Sequence, residues 1–460
     1  MLNLNDIKQI HFTGIGGISM SSLAKLMILQ QKKVTGSDSK YSDSVAQLNQ
    51  WGARISIGYD LDLVKSADLM VYSTAIDNCN KELEYARHHK INHLSRSKFL
   101  SVVSSNFDRV MAIAGTHGKT TVTGMISNIF LKACLSFTSH IGGFLKSNFG
   151  NLIYRGTDYF ITEACEYKRA FLDINPCIAV VLDVEYDHPD TYPNLYSVYE
   201  SFDRFISGIK KNGTLIINAQ SNYYVNKTIL DVKSKFPADI NILTFGSSKC
   251  TDFSLQNSKL NSNGCFSGDI YDKSHIMSIK LQIPGYHNLC NALAAYASCR
   301  ACNISYDHIK HGLESFQGIE RRFETYTAFN GATIIVDYAH HPTEITAVIN
   351  SVINLPHNKL ICVFQPHTFS RTKYLLNEFI SSFAGADMVF IFKEYSARET
   401  PKDGISAAEL FAHIKHANIK SYYFENVLNL ASQISDIIKP ADKLLILGAG
   451  DIDVVAKLLL

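Results

Sequence analysis

Short apolar runs alternate along the chain with longer stretches of helical, amphipathic pattern. Three of these runs, Ile10–Phe12, Val110–Ala114 and Leu444–Leu447, each pass into a glycine-containing turn and then into a helical pattern. Two further runs, Leu69–Tyr72 and Ala179–Leu182, also lie between helical patterns. Apolar strands that alternate with helices are typical of parallel sheets covered by helices. The pattern therefore predicts an α/β fold that repeats a strand, turn and helix unit at three places.

The length of 460 residues is enough for about three domains, each with its own core. The span from Lys249 to Ile276 is rich in Ser, Asn, Asp and Gly, and it predicts an antiparallel excursion with turns inside the middle domain. We expect domain boundaries near Asn106 and near Gly318. The predicted domains are therefore 1–106, 107–318 and 319–460.

The composition excludes several classes of partner. With 44 Lys and Arg against 42 Asp and Glu, the net charge of +2 predicts no nucleic-acid partner. The N-terminus lacks a basic region followed by a long apolar run, and we expect a soluble, cytoplasmic protein with no membrane partner. The ten cysteines show no framework spacing, which favours reduced thiols. The pair Cys299 and Cys302 lies in an Ala-rich helical run, so we expect it to be structural rather than a redox or zinc site.

The turn after Val110–Ala114 carries the most informative chemistry. Gly115 and Gly118 allow a close approach of the backbone to an anion, Lys119 adds a positive charge, and the Thr120 hydroxyl is a candidate Mg²⁺ ligand. A standard phosphate loop has four residues between its first glycine and the Gly-Lys pair, whereas this turn has two. A glycine turn without a ligand is the alternative. We predict that this loop binds a nucleoside triphosphate.

The first glycine turn, Gly14-x-Gly16-x-x-Ser19, nearly matches a dinucleotide-binding fingerprint, with Ser19 in place of the third glycine. Asp38 follows the second predicted strand and is placed to hold a ribose. The turn predicts a pyrophosphate site without identifying the nucleotide. A purely structural turn remains an alternative.

Acidic residues at strand ends predict a metal site in the middle domain. Glu163 ends the apolar strand Tyr159–Thr162, where open α/β sheets place ligand-binding groups, so it is a candidate Mg²⁺ ligand. His188 lies in a loop crowded with acids after Ala179–Leu182, and such crowding favours a cation. Taken alone, His188 would be a surface or buried structural histidine.

Two further motifs provide polar groups for a phosphate-bearing ligand. Asn288 and Asn291 lie one turn apart on one face of a predicted helix, although an Asn at this place is often only a helix cap. Arg321 and Arg322 follow Gly318 and suit bidentate phosphate contacts, although charged pairs in linkers are commonly solvated.

Taken together, the motifs resemble those of the Mur ligase family of peptidoglycan synthesis, nearly end to end. Several separated motifs in the right order are more specific than any one of them. The resemblance implies an N-terminal Rossmann-like domain, a central P-loop-type ATPase α/β domain and a C-terminal Rossmann-like domain. The segments that carry it are His11–Ser21, Gly115–Thr121, Glu163, Asp187-His188, His287-Asn288-x-x-Asn291, Arg321-Arg322, Asp337–Pro342, Gln365–Thr372 and Gly448–Ile452.

The resemblance implies an ATP-dependent ligase that joins L-alanine to the lactyl carboxylate of UDP-N-acetylmuramate through an acyl phosphate, as a monomer or weak homodimer. The residues implied for ATP binding are Gly115, Thr116, His117, Gly118, Lys119, Thr120, Thr121, Asn288, Asn291, Arg322 and Asp337. Those implied for catalysis are Lys119, Glu163, His188 and Arg322, and those for Mg²⁺ or Mn²⁺ are Thr120, Glu163 and His188. Those implied for the UDP-sugar are Gly14, Gly16, Gly17, Asp38 and Ser73, and those for the amino acid are His340, His367 and Arg371.

Two stretches depart from the family pattern. Where Glu-Ala-Asp-Glu-Ser-Asp is usual the chain has Glu163-Ala164-Cys165-Glu166-Tyr167-Lys168, and where an Asn is usual it has Asp183. Three other functions remain open. A nicotinamide-dependent oxidoreductase would explain the first glycine turn but not the phosphate loop, and a non-catalytic nucleotide-binding regulator would not need Lys119, Glu163 and His188 together. A sister ligase that recycles a whole muropeptide is a closer rival, but its first glycine loop resembles this one less.

Overall fold

The computed structural model describes residues 2–147, 150–220, 239–261, 264–273, 275–397 and 399–460. The chain divides into two compact units. The first unit comprises Met1–Glu185, Tyr196–Ser254 and Leu293–Gly312, and the second comprises Tyr186–Leu195, Leu255–Ala292 and Leu313–Leu460. Among the described residues, no helix combines the length and apolar character needed to cross a bilayer.

The first unit begins with a parallel five-stranded sheet. All five residues of the central strand β1 are buried, as expected for a strand covered on both faces. The strands are β1 (Gln9–Thr13), β2 (Lys33–Asp38), β3 (Arg54–Ile57), β4 (Leu69–Tyr72) and β5 (Asn92–Ser95), in the order β3-β2-β1-β4-β5. The helices are a 3-10 turn at Leu4–Asp6, α1 (Ile18–Leu29), α2 (Asp43–Gln50), α3 (Leu61–Lys65), α4 (Lys81–His88) and α5 (Arg96–Ser104).

The first unit also contains most of a second, larger sheet. The strands are β6 (Arg109–Ala114), β7 (Phe137–Leu145), β8 (Gly150–Tyr154), β9 (Tyr159–Glu163), β10 (Ile178–Val181), β11 (Thr214–Asn218) and β12 (Asn241–Gly246). Their order is β12-β11-β10-β6-β9-β7-β8, and all neighbours are parallel except β7 and β8. The helices are α6 (Lys119–Lys132), a 3-10 segment at Tyr167–Asp173 and α7 (Leu195–Ser207).

Strand β13 (Phe253–Leu260) begins in the first unit, where Phe253 and Ser254 pair in parallel with β12, and continues into the second. In the second unit, β14 (Cys265–Asp272) and β15 (His275–Pro284) are antiparallel. The predicted antiparallel excursion is therefore confirmed for β14 and β15, whereas β13 begins in a parallel pairing. Residues 262–263 and 274 of the predicted span lie outside the described residues.

The second unit also contains a six-stranded sheet in the order β16-β17-β21-β18-β19-β20, parallel except for β16 and β17. The strands are β16 (Glu324–Thr327), β17 (Thr333–Asp337), β18 (Leu360–Phe364), β19 (Met388–Phe392), β20 (Ser421–Phe424) and β21 (Lys443–Leu447). The remaining helices of the chain are α8 (Tyr286–Ala301), α9 (Tyr306–Glu314), α10 (Pro342–Ile353), α11 (Phe369–Tyr374), α12 (Leu376–Ser382), a 3-10 turn at Pro401–Asp403, α13 (Ala407–His416), α14 (Val427–Ile437) and α15 (Val454–Leu459). Of these, α8 and α9 run across the division between the units.

Both faces of this six-stranded sheet are buried. Ile335 and Cys362 belong to one apolar cluster, and their strand neighbours Ile334 and Ile361 belong to the cluster on the opposite face. Because successive side chains of a strand point to opposite faces, this alternation produces the near-continuous apolar runs seen in the sequence. The α/β fold class predicted from these runs is confirmed.

Candidate functional site

The glycine turn after β1 is held by its own backbone and by Asp38. The Gly14 amide donates to the Ser37 carbonyl at 2.8 Å, and the Gly16 amide donates to Asp38 Oδ2 at 2.8 Å. A Cβ on Gly14 would lie 3.1 Å from the Cβ of Ser73, so Ser73 lies against the turn. The structure thus brings together the residues predicted for the UDP-sugar, which are Gly14, Gly16, Gly17, Asp38 and Ser73.

A buried carboxylate that the sequence analysis missed lies near this turn. Glu82 accepts hydrogen bonds from Thr13 Oγ1 at 2.7 Å, from Ser37 Oγ at 2.6 Å and from the Asp60 amide at 2.9 Å. Burial raises the pKa of Glu82, but the hydrogen bonds from His11, Ser37 and Thr13 outweigh it and lower the pKa overall. Glu82 therefore ties together three segments at the carboxyl edge of the sheet.

The first turn of α1 is fixed to β7 and β8. Asn151 is completely buried and donates to the Ile18 carbonyl at 2.7 Å. The imidazole of His140 bridges Ser19 Oγ, 2.9 Å from Nε2, and Thr162 Oγ1, 3.1 Å from Nδ1. Burial lowers the pKa of His140 to about 4, so the bridging ring is neutral at pH 7.

The phosphate loop has the backbone that its glycines predict. Gly118 has φ 80° and is the N-cap of α6, and Gly115 has φ 139°. A Cβ on Gly115 would also lie 2.9 Å from the Cβ of Leu182. Both positions therefore require glycine, and the first turn of α6 faces the loop with its unpaired amides.

Asp183, one of the departures from the family pattern, supports this loop. Its carbonyl accepts from the Thr116 amide at 3.1 Å, and its Oδ1 accepts from the His117 amide at 2.9 Å. Burial raises the pKa of Asp183, because the charged form is poorly solvated there. An Asn would offer the same acceptor oxygen, so we expect the loop to keep this hydrogen bond with either residue.

Lys119 lies against the loop and pairs with Glu166. Its Nζ is 3.0 Å from Glu166 Oε2 and 3.0 Å from the Thr116 carbonyl, and it also donates to the Gly115 carbonyl. Burial disfavours the ammonium form, but the attraction of Glu166 outweighs it and raises the pKa of Lys119. Glu166 lies only three residues after Glu163 and was not among the residues predicted for the site.

Thr120 and Glu163 are brought together at the start of α6 and the end of β9. Thr120 Oγ1 donates to Glu163 Oε2 at 3.1 Å, and the Gly142 amide donates to Glu163 Oε1 at 2.6 Å. The meeting follows from the sheet order, because β6 and β9 are parallel neighbours whose carboxyl ends share one edge. Two of the three predicted metal ligands are therefore adjacent.

The third predicted metal ligand, His188, belongs to the second unit. It has φ 56°, and its Nε2 is 3.7 Å from Oδ2 of the neighbouring Asp187. A left-handed backbone is unusual for a histidine and is commonly retained at functional loops. The metal-binding role of His188 stays a prediction.

Asp187 forms a buried ion pair with Arg371 inside the second unit. Arg371 Nε is 2.9 Å from Oδ1, Nη2 is 3.3 Å from Oδ2, and Nη1 donates to His367 Nδ1 at 3.0 Å. Burial raises the pKa of Asp187, but the Arg371 charge outweighs it and holds the pKa well below its usual range. Burial also lowers the pKa of His367 to about 2. The neighbouring His340 ring lies 5.7 Å from that of His367, so the three residues predicted for the amino acid lie together.

The two amides predicted on α8 are also together. Asn288 Nδ2 donates to the Pro284 carbonyl at 2.6 Å, and Asn291 Nδ2 donates to Asn288 Oδ1 at 3.3 Å. Asn288 is buried, and its side-chain amide links the start of the helix to the residue that precedes Gly285. Among the described hydrogen bonds, Asn288 is therefore not seen to accept from a helix amide as an N-cap does, and the ligand role of both residues stays a prediction.

The arginine pair separates into two environments. Arg321 Nη2 donates to the carbonyls of Gly448 at 3.2 Å and Gly450 at 2.6 Å, and so fixes the glycine turn after β21. Arg322 lies 3.7 Å from Glu344 Oε1. Both guanidinium groups lie over the ring of Tyr338, at 5.3 Å from its centre for Arg321 and 5.0 Å for Arg322. The phosphate-binding role of Arg322 stays a prediction.

Asp337 holds the chain after Arg322. Its Oδ2 accepts from the Phe323 amide at 2.7 Å and its Oδ1 from the Ala339 amide at 2.8 Å. Burial raises the pKa of Asp337. The carboxylate therefore positions both segments, and the ribose-binding role of Asp337 stays a prediction.

Three protein-family models match successive parts of the chain. The model for the catalytic domain of the Mur ligase family matches residues 9–108, the Mur ligase middle domain matches 113–299, and the Mur ligase glutamate ligase domain matches 321–450. The chain belongs to the Mur ligase family.

Relatives of this Mur ligase match it over nearly its whole length. The UDP-N-acetylmuramate–L-alanine ligase of Clostridium acetobutylicum is 41% identical over 454 residues, covering 97% of this chain and 96% of the relative. The enzyme of the same name from Clostridium perfringens is 37% identical over 459 residues, covering 99% of each chain.

Solved structures share the Mur ligase fold. The UDP-N-acetylmuramate-alanine ligase of Thermotoga maritima has a TM-score of 0.81 at 24% identity, covering 98% of this chain and 97% of that one. A murein peptide ligase from Psychrobacter arcticus has a TM-score of 0.73 at 25% identity, covering 98% of each chain. The three-domain Mur ligase fold predicted from the resemblance is confirmed.

Proposed function

We propose that this Mur ligase joins L-alanine to the lactyl carboxylate of UDP-N-acetylmuramate at the expense of ATP. The products are ADP, phosphate and UDP-N-acetylmuramoyl-L-alanine, a peptidoglycan precursor. The observation that carries the proposal is the 41% identity with an L-alanine ligase of that name over 97% of the chain. The phosphate loop with Lys119, Thr120 and Glu163 in one cluster supports it physically.

The chemistry follows from the poor reactivity of a carboxylate toward an amine. A lactyl carboxylate oxygen attacks the γ-phosphorus of ATP, the bond to the β-phosphate oxygen breaks, and an acyl phosphate and ADP form. The alanine amine then attacks the acyl carbon, a C–N bond forms, phosphate leaves and the amine loses a proton. No protein nucleophile is required, so catalysis depends on aligning and neutralising anions.

The phosphate loop supplies most of this neutralisation. We assign Lys119 and the amides of Gly115–Thr121 to the phosphates of ATP. On the same basis Arg322 binds the γ-phosphate, Asn291 the adenine and Asp337 the ribose, and Asn288 supports the phosphate region. Lys119 must exchange part of its contact with Glu166 for the nucleotide, which is compatible with its raised pKa, because the ammonium stays charged.

A divalent cation fits the pair Thr120 and Glu163. Hydroxyl and carboxylate oxygens are ligands that Mg²⁺ and Mn²⁺ prefer, and these two oxygens lie 3.1 Å apart. We assign Thr120, Glu163 and His188 to this cation. When bound, it would neutralise phosphate charge in the transition state.

The other two substrates are assigned by the same family pattern. We place the UDP-sugar at Gly14, Gly16, Gly17, Asp38 and Ser73, which surround one turn. We place the amino acid at His340, His367 and Arg371, whose rings and guanidinium form one cluster.

We also propose domain boundaries of 1–106, 107–318 and 319–460, for the UDP-sugar, ATP and the amino acid in that order. These boundaries are supported by the three family models, because each model matches most of one of the three segments. Because ATP and UDP-sugars are cytoplasmic metabolites, we place the reaction in the cytoplasm.

The test is phosphate release from Mg-ATP by the purified full chain with UDP-N-acetylmuramate and L-alanine, each omitted in turn. We expect release only when both are present, and one UDP-N-acetylmuramoyl-L-alanine formed for each phosphate released. In parallel reactions, L-alanine is replaced by glycine, by L-serine or by L-alanyl-γ-D-glutamyl-meso-diaminopimelate. Turnover with the tripeptide and not with L-alanine would overturn the named substrate and keep the ligase chemistry.

A further inference from the structure

The carboxylate of Glu163 is held from two sides by hydrogen bonds. Thr120 Oγ1 donates to Oε2 at 3.1 Å from the start of α6, and the Gly142 amide donates to Oε1 at 2.6 Å from strand β7. The second contact follows from strand pairing, since His140 of β7 lies opposite Thr162 of β9. Gly142 therefore lies two residues further along β7, beside the end of β9.

A side chain at Gly142 would require the Glu163 carboxylate to move. A Cβ built there would lie 2.6 Å and 2.7 Å from the two carboxylate oxygens of Glu163 and 2.9 Å from its Cδ, whereas real Cβ contacts essentially never fall below 3.0 Å. The φ of Gly142 lies outside the left-handed region, so its backbone conformation is open to any residue. The glycine thus leaves room for the neighbouring carboxylate, and the backbone conformation does not require it.

The position of the Glu163 carboxylate matters because the ammonium group of Lys119 is close. Lys119 lies beside Glu166, and the negative charge of Glu163 also contributes to its raised pKa. A carboxylate free to rotate would move toward the ammonium, and two acids would then compete with the phosphates for one lysine. The hydrogen bond from Gly142 opposes this rotation and keeps Oε2 beside the Thr120 hydroxyl.

We propose that Gly142 is a positioning residue for the metal-binding carboxylate, through an amide that fixes Glu163 Oε1 and a missing side chain that leaves room for it. The proposal rests on the assignment of Glu163 to the cation. Removing a group that orients a metal ligand typically weakens metal affinity by about tenfold to a hundredfold.

The experiment measures binding of Mn²⁺ to the full chain with saturating ADP, by titration followed by electron paramagnetic resonance of the free ion. Gly142→Ala is expected to weaken Mn²⁺ binding by roughly tenfold, because its methyl group displaces the carboxylate. Gly208→Ala is the matched control, since Gly208 is also half-buried and also has φ outside the left-handed region, and the nearest atom to its Cβ is the Phe205 carbonyl oxygen at 3.2 Å. Unchanged Mn²⁺ affinity in folded Gly142→Ala would overturn the proposal.

Glu163→Gln separates this proposal from the assignment on which it rests. If Glu163→Gln leaves Mn²⁺ affinity unchanged, Glu163 is not a metal ligand and both fail together. If Glu163→Gln loses Mn²⁺ and Gly142→Ala keeps it, the assignment stands and only the role of Gly142 fails.

A second variant covers the case in which Gly142→Ala does not fold. Combining it with Glu163→Ala removes the carboxylate from the space that the new methyl group needs. Recovery of the wild-type circular dichroism spectrum in the double variant would support the steric contact, and failure to recover would overturn it.

Discussion

Arg371 and Asp187 form a buried bidentate ion pair, with Nε 2.9 Å from Oδ1 and Nη2 3.3 Å from Oδ2. The remaining terminal nitrogen, Nη1, donates to His367 Nδ1 at 3.0 Å. A carboxylate bound along one edge of a guanidinium is the geometry in which an arginine also binds the carboxylate of an amino acid. The pair therefore fixes the plane of the Arg371 guanidinium, and the binding of an amino-acid carboxylate by Arg371 stays a prediction.

Arg371→Lys is expected to raise the KM for L-alanine by about tenfold or more, because an ammonium cannot reproduce bidentate contacts. The KM for ATP should change little. Steady-state phosphate release with each substrate varied in turn measures both values. Lys373→Met, an exposed position on the same helix, is the control. An unchanged KM for L-alanine would mean that Arg371 serves only as the partner of Asp187.

The ion pair of Lys119 and Glu166 predicts two separable effects. Lys119→Ala should abolish turnover because the main cation of the phosphate loop is lost. It should also lower the free energy of unfolding by about 3 kcal/mol, because Glu166 remains as a buried charge without this partner. Urea unfolding and phosphate release measure the two quantities.

The control for the Lys119–Glu166 ion pair is the double variant that combines Lys119→Ala with Glu166→Gln. The double variant should regain most of the stability, since a neutral amide replaces the carboxylate that lost the Lys119 charge, and it should stay inactive. Turnover near the wild-type rate in either variant would remove Lys119 from the catalytic site.

The sequence predicted the parts of the site that depend on local pattern. The three glycine turns, the strands before them and the meeting of Thr120 with Glu163 follow from apolar periodicity and from the rule that ligands gather at carboxyl ends of parallel strands. The supporting contacts could not be predicted, because they depend on strand order. Gly142 reaches Glu163 only because β7 is the neighbour of β9, and no periodicity encodes that choice. Glu82 was missed for the same reason, since its partners lie 22 to 69 residues away.

Asp183→Asn is expected to tighten nucleotide binding. The substitution keeps an oxygen that can accept from the His117 amide at 2.9 Å, and it removes a negative charge beneath a loop that we assign to phosphates. We expect the Kd of ADP to fall several-fold, which corresponds to roughly 1 kcal/mol. Isothermal titration of ADP at pH 7.5 checks this. Asp183→Ala, which removes the acceptor as well, should bind ADP more weakly than Asp183→Asn, and equal affinities would contradict the role of the acceptor.

His140 predicts a loss of stability in mild acid. Burial lowers its folded pKa to about 4 from the usual 6.5 of histidine, so between these values the unfolded chain binds a proton that the native chain does not. The stability contributed by the neutral ring is complete above pH 6.5 and is lost as the pH falls toward 4, at about 1.4 kcal/mol per pH unit. His140→Gln should therefore reduce the fall in the free energy of unfolding between pH 6 and pH 5 by about 1 kcal/mol, measured by urea unfolding at both values. Ser19→Ala is the matched control, because it removes the hydrogen-bond partner 2.9 Å from Nε2 and leaves the titrating ring in place. It should lower stability at both pH values and keep the wild-type dependence on pH. If His140→Gln also keeps that dependence, the ring does not titrate between the folded and unfolded states as its burial requires.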